Sequence, residues 1–131
     1  MGRAARAAGD AVVMGAPNVL RGGSHLGWAS AAVLAEAGIC SVLCSDYYYP
    51  ALLRSVFILA GRGKMGLAQA WALVSENPAR AGGLTDRGTL ALGQRGDVLL
   101  VADRAGVPEL VATVVQGRVV WLGGEGAQRL G

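Results

Sequence analysis

Ile39-Cys40-Ser41-Val42-Leu43-Cys44-Ser45-Asp46 is an apolar, partly β-branched run that stops on two polar residues. A short run of this kind, without regular polar alternation, suits a buried strand covered on both faces, here Ile39 to Cys44. Working upstream, Ser30 to Ala37 reads as a short helix, with Ser30 placed to cap its start and Gly38 to stop it. Ala11 to Met14 is a second short apolar run, read as another buried strand that leaves through a Gly15-Ala16-Pro17-Asn18 loop. Arg3 to Gly9 is alanine-rich and helical in propensity. Downstream, a helix is expected from Pro50, with Leu52, Leu53, Val56, Phe57 and Ala60 on its apolar face. A further helix is expected from about Leu67 to Val74, then a single helical turn at Asn77 to Ala81. Strands separated by helices point to an α/β fold with a parallel sheet. After Gly82-Gly83 the pattern becomes strand-rich. Asp97 to Val101, Glu109 to Val115 and Val119 to Trp121 read as strands, the last two joined by a Gln116-Gly117-Arg118 turn.

Composition narrows the function classes. The chain has 131 residues, 21 of them glycine, and a formal charge of +3. A complete (β/α)₈ barrel needs roughly 200 residues or more. At 53% hydrophobic and 16% charged, the chain is too apolar for a disordered one, and its 5% aromatics leave a core of Ala, Val and Leu. Arginines are scattered and there is a single lysine, so no basic stripe supports nucleic-acid binding. No apolar run reaches the roughly 18 residues of a membrane span, and Ala11 to Ala16 is too short for a signal peptide, so a cytoplasmic protein is expected. On one strand, Cys40 and Cys44 would share a face about 13 Å apart, beyond disulfide reach. Both are read as small buried side chains.

Asp46 is the first candidate for chemistry, because functional groups of parallel α/β folds gather beyond the C-terminal ends of strands. A carboxylate there suits metal binding or proton transfer from a metal-bound water; equally, it suits capping of the helix after Pro50. The second candidate is the loop Arg21-Gly22-Gly23-Ser24-His25. Its glycines let backbone N–H groups approach an anion, Arg21 offers a bidentate fork and Ser24 a donor. His25 is the only histidine, and a solvated loop side chain is the simpler reading of it. A Ser24/His25/Asp46 hydrolase triad fails because adjacent Ser and His cannot readily face one another and no G-x-S-x-G elbow is present. Tyr47, Tyr48 and Tyr49 suit a polar pocket or an aromatic cover over a barrel mouth. Asp86, Arg87 and Asp97 read as structural.

Three groups of residues together resemble one family. Asn77-Pro78-Ala79-Arg80-Ala81-Gly82-Gly83-Leu84, Asp86-Arg87-Gly88-Thr89-Leu90 and Gly93-Gln94-Arg95-Gly96-Asp97-Val98-Leu99-Leu100 are similar to the C-terminal signature of the amidohydrolase superfamily. The family usually has Ala where this chain has Gly96. Gly15 to His25, Leu34 to Cys40 and Cys44 to Leu53 resemble its phosphonate-metabolism branch, many members of which carry Asn in place of Trp28. The resemblance runs from about Val12 to Trp121. It implies the last two β/α units of a TIM-barrel metal-dependent hydrolase over residues 1–83, strands of a small β-sandwich domain over 84–122, and a flexible tail over 123–131. It implies hydrolysis of a ribose 1-methylphosphonate 5-triphosphate to the 5-phosphate and pyrophosphate. Asp46 would touch the metal and act on the attacking water, while Arg21, Gly22, Gly23, Ser24 and His25 would bind phosphate.

The family's H-x-H and its remaining metal ligands have no counterpart here. One or two zinc-like divalent ions are therefore expected only in a full-length protein, and the isolated chain is expected to be inactive. Its partners would be a small phosphorylated substrate and either a missing N-terminal barrel half or a second copy. A cyclic-amide hydrolase sharing the same tail is the alternative enzyme, and a non-catalytic truncated remnant the alternative of another class.

Overall fold

The computed structural model describes residues 1–22, 30–124 and 127–128. It is a mixed α/β structure. The elements are α1 (Gly2–Ala7), β1 (Val13–Gly15), α2 (Ala16–Leu20), α3 (Ala31–Glu36), β2 (Val42–Cys44), α4 (Ala51–Gly61), α5 (Leu67–Ala72), α6 (Glu76–Ala81), β3 (Val98–Arg104), β4 (Val107–Val115) and β5 (Arg118–Leu122). β1 and β2 pair in parallel, with Val13 opposite Val42 and Gly15 opposite Cys44. β3, β4 and β5 form a separate antiparallel sheet in that order.

The parallel pair is pinned at its entry. The Val12 N–H donates to Ser41 Oγ at 3.0 Å, and the Ser41 carbonyl accepts from Asn77 Nδ2 at 2.8 Å. Arg80 in turn donates to Asn77 Oδ1 at 2.7 Å. The Asn-Pro-Ala-Arg run thus ties α6 to the start of the strand that leads to Asp46.

The core has the small-residue make-up that composition demands. Ala16, Val19, Ala31, Ala32, Ala35, Cys40, Leu43, Ala51, Val56, Leu59, Ala70 and Leu73 form one buried cluster. Small side chains let helices approach closely, and this turns α4 from its expected face. Ala51, Ser55, Val56 and Leu59 are its buried positions, spaced as one helical stripe. Leu52 and Phe57 only pack against the cluster's edge. Ser55 is tolerated there because its hydroxyl donates to the Leu52 carbonyl at 2.8 Å.

Other differences from the sequence reading have local causes. Ala16–Leu20 is helical rather than a loop, because Pro17 sits in the first turn, where its fixed φ suits a helix and no N–H is needed. The strand expected over Ile39–Cys44 is shortened to Val42–Cys44. Ile39 and Cys40 instead donate backward to the Leu34 carbonyl, at 2.9 and 3.0 Å. Cys40 is buried, its thiol donating to the Val42 carbonyl at 3.3 Å and pushed up in pKa by burial. Cys44, at the open end of β2, is exposed, contrary to its expected burial. Ser30 does cap α3, accepting from the Val33 N–H at 3.2 Å.

The antiparallel sheet turns through Ala105-Gly106 and Gln116-Gly117, each pair with both φ values positive, as two-residue hairpins require. Gly96 lies against the second turn, its carbonyl accepting from the Gly117 N–H at 2.8 Å. A Cβ on Gly96 would come within 3.0 Å of that nitrogen, which gives the departure from the family's usual Ala a local correlate. In the tail, Leu122 belongs to β5 and the Gly123 N–H donates to the Val111 carbonyl at 2.8 Å. Residues 125–126 and 129–131 lie outside the described residues.

Asp97 is structural, as read. Its Oδ1 accepts from the Gln116 N–H and from Arg95 Nε, each at 2.9 Å. The backbone N–H of Gln116 first, and then the Arg95 guanidinium, hold its carboxyl below the usual carboxylate range. A depressed folded pKa stabilises the fold above the unfolded value near 3.9, and the effect is lost as pH falls through the folded value. Asp97→Asn is therefore expected to lower the melting temperature at pH 7. Thermal melts should show that gap closing as pH is taken below about 4.

Candidate functional site

Asp46 stands two residues beyond the last paired position of β2, in the turn before α4. It does not cap that helix: Pro50 occupies the cap position and no side chain bonds there. Its φ of 52° places it in the left-handed region, which costs a non-glycine residue energy and is best tolerated by Asp and Asn. Among the described residues, no hydrogen bond or ion pair engages its carboxylate.

The carboxylate lies over the end of the neighbouring strand. A Cβ added to Gly15 would meet Asp46 Oδ2 at 3.0 Å and its Cβ at 3.4 Å. Gly15 has an ordinary extended backbone, so it is the missing side chain, and not a special φ, that this position requires. Gly15→Ala is expected to push the carboxylate aside by a few tenths of an ångström, and, under the catalytic role that the family resemblance implies for Asp46, to lower kcat of the full-length protein about tenfold. Steady-state kinetics beside a melting curve will separate that loss from instability.

Arg21 follows α2 on the same side. Its guanidinium carbon is 5.6 Å from the centroid of the Tyr47 ring, within the range of a cation–π contact. Arg21 and Gly22 are exposed, and Gly22 has a φ of 71°. The remainder of the expected phosphate loop, Gly23, Ser24 and His25, lies outside the described residues, as does Trp28. The structure therefore sets Gly15 against Asp46, and Arg21 against Tyr47, the residue that follows Asp46 in the chain. Sequence reasoning missed Gly15 as the seat of Asp46. The available signal was a glycine ending one parallel strand beside a carboxylate ending the next.

A larger feature lies elsewhere. An apolar cleft of about 1170 Å³ runs between α4, α5 and the antiparallel sheet, lined by Leu53, Trp71, Leu99, Val107 and Leu110 among others. Asp46 and Arg21 are not part of its wall. Its wall is mainly apolar, with Tyr49, Arg54, Ser75, Glu76, Thr89 and Asp97 as polar side chains, whereas Asp46, the carboxylate that the sequence singles out, lies at the strand end.

The amidohydrolase family model matches residues 47–121. The chain belongs to the amidohydrolase family. The matched stretch begins one residue after Asp46 and takes in the Asn-Pro-Ala-Arg turn and the antiparallel sheet up to Trp121 of β5. The chain is also 46% identical over 99 residues to the α-D-ribose 1-methylphosphonate 5-triphosphate diphosphatase of Escherichia coli (strain K12). That alignment covers 74% of this amidohydrolase chain and 26% of the relative, so the chain spans about a quarter of the relative's length. Both the superfamily and its phosphonate branch were expected from the motifs.

Amidohydrolases typically depend on a metal ion. A zinc site needs three or four protein ligands. Among the described residues, no three His, Cys, Asp or Glu side chains gather as such a group. They do not form a metal centre by themselves, and Asp46 offers at most one ligand to a centre completed from elsewhere. Among the same residues, no helix is long and apolar enough to cross a membrane.

Proposed function

We propose that this chain is part of a metal-dependent cytoplasmic hydrolase of phosphonate catabolism. In this reading, residues 1–83 supply the last two β/α units of a barrel and residues 84–122 supply strands of a small β-domain. The substrate is a ribose 1-methylphosphonate 5-triphosphate, and the products are its 5-phosphate and pyrophosphate. The observation that carries the proposal is the 46% identity to a diphosphatase named for that substrate. The strand-end position of Asp46, with Arg21 against the ring of the adjacent Tyr47, supports it.

In the proposed reaction, water attacks the phosphorus attached to the ribose oxygen, and Asp46 takes the proton that the water loses. The P–O bond between the first and second phosphoryl groups breaks, and pyrophosphate leaves with the bonding pair. Arg21, with a fork of N–H donors, and the Gly22 N–H hold the non-bridging oxygens of the departing end. The carboxylate and the cation thus act at opposite ends of one polyphosphate.

The test is product analysis with the full-length protein and a divalent cation. Pyrophosphate and the 5-phosphate in equal amounts are expected from the triphosphorylated substrate. Release of orthophosphate alone, or turnover of cyclic amides in place of the triphosphate, would overturn the assignment. By the same reading the 131-residue chain is silent alone, since its described residues assemble no metal-binding group.

A further inference from the structure

Tyr47 is 67% exposed, so burial of its ring does not explain its position. It sits in a turn whose backbone is fixed by the Tyr48 N–H donating to the Ser45 carbonyl at 3.1 Å. Arg21 is rooted from the other side, its own N–H donating to the Pro17 carbonyl at 3.2 Å. Among the described residues, neither an ion pair nor a hydrogen bond occupies the Arg21 guanidinium, and the ring of Tyr47 at 5.6 Å is its one contact of this kind. A guanidinium engaged through its face keeps its N–H edge available for a fork onto phosphate oxygens. A carboxylate partner would instead compete with the phosphate for that edge.

We propose that Tyr47 is a positioning residue: its ring holds the Arg21 guanidinium beside the turn that carries Asp46, so that the phosphate-binding cation is registered to the carboxylate. The inference rests on the reading of this site as a polyphosphate hydrolase. Because Tyr47 directly follows Asp46, any motion of the turn moves the carboxylate and the Arg21 platform together. Tyr49 does not share this role, since it lines the apolar cleft instead.

Two measurements test it. In the 131-residue chain, the Arg21 Nε–H resonance should be displaced by the aromatic ring, keep that displacement in Tyr47→Phe and lose it in Tyr47→Leu. In the full-length protein, Tyr47→Leu should raise KM for the triphosphorylated substrate about three- to fivefold, with kcat within about twofold. Tyr47→Phe should restore KM. Arg21→Gln should raise KM further, and adding Tyr47→Leu to Arg21→Gln should change nothing more, as coupled residues require. An unmoved resonance, an unmoved KM or fully multiplicative effects overturn the role of Tyr47. Undiminished turnover in Asp46→Asn would instead overturn the reading of the site beneath it.

Discussion

Asp46→Asn in the full-length protein is expected to lower kcat at least a hundredfold while leaving the fold and the KM for the triphosphorylated substrate nearly unchanged. General base catalysis contributes about 10²- to 10⁴-fold, and an amide of the same shape cannot accept the proton. The substitution is clean for a second reason. Asp46 has a φ of 52°, a conformation that Asn tolerates as well as Asp does, whereas Ala would add strain to the chemical loss. Among the described residues the carboxylate has no structural partner to lose. The measurement is kcat and KM for Asp46→Asn beside a melting curve. Retention of more than a tenth of the turnover with an intact fold would remove Asp46 from the mechanism.

Part of this site was legible in the sequence. Asp46 stood out because a buried strand ends just before it, and the structure keeps it at that strand end and removes its alternative role as a helix cap. Arg21 stood out as a cation in a glycine-bearing loop. Gly15 did not stand out, and Tyr47 did so only as one of three tyrosines suited to a pocket or cover, for a physical reason: their contacts exist only between segments distant in the chain. Gly15 meets Asp46 through a register that pairs it with Cys44, and Tyr47 meets Arg21 across a gap of 26 positions. Spacing along the chain carries neither relation.

The fold was legible where local patterns agree with tertiary packing. Ser30 capping α3 and the Gln116-Gly117 hairpin follow from local chemistry alone, and each forms as expected. The expected face of α4 is borne out at Val56 and only in part at Leu52 and Phe57, which reach the cluster's edge, because periodicity weighs large side chains most heavily. In an alanine-rich core the closest approach falls on small ones, so Ala51 and Ser55 face inward and Leu53 does not. The strand ending at Cys44 was overextended by a similar error. Ile39 and Cys40 are apolar enough to continue it, but their N–H groups are already committed to the end of α3.

Gly88→Ala should produce the largest loss of stability among glycine-to-alanine changes at the described residues. Gly88 has a φ of 99°, so any L side chain is strained there whatever the space around it. Here the space is also taken. An added Cβ would lie 2.7 Å from the Ala79 Cβ and 3.2 Å from both the Glu76 Cα and the Ser75 carbonyl oxygen. Two of these three neighbours are backbone of α6 and its cap, which cannot rotate aside. Because α6 also carries the Asn77 contact to Ser41, displacing it would loosen the entry of the strand that ends before Asp46. Backbone strain of about 1–2 kcal/mol and overpacking of about 1–3 kcal/mol together predict a loss of about 3 kcal/mol. Gly93→Ala is the control, since Gly93 also has a positive φ, of 83°, but nothing within 4 Å of its added Cβ. Chemical denaturation of both variants should show Gly88→Ala losing at least about 1 kcal/mol more than Gly93→Ala. Equal losses would mean that α6 yields to the methyl group, and that the Asp86-Arg87-Gly88 turn does not hold the helix in place.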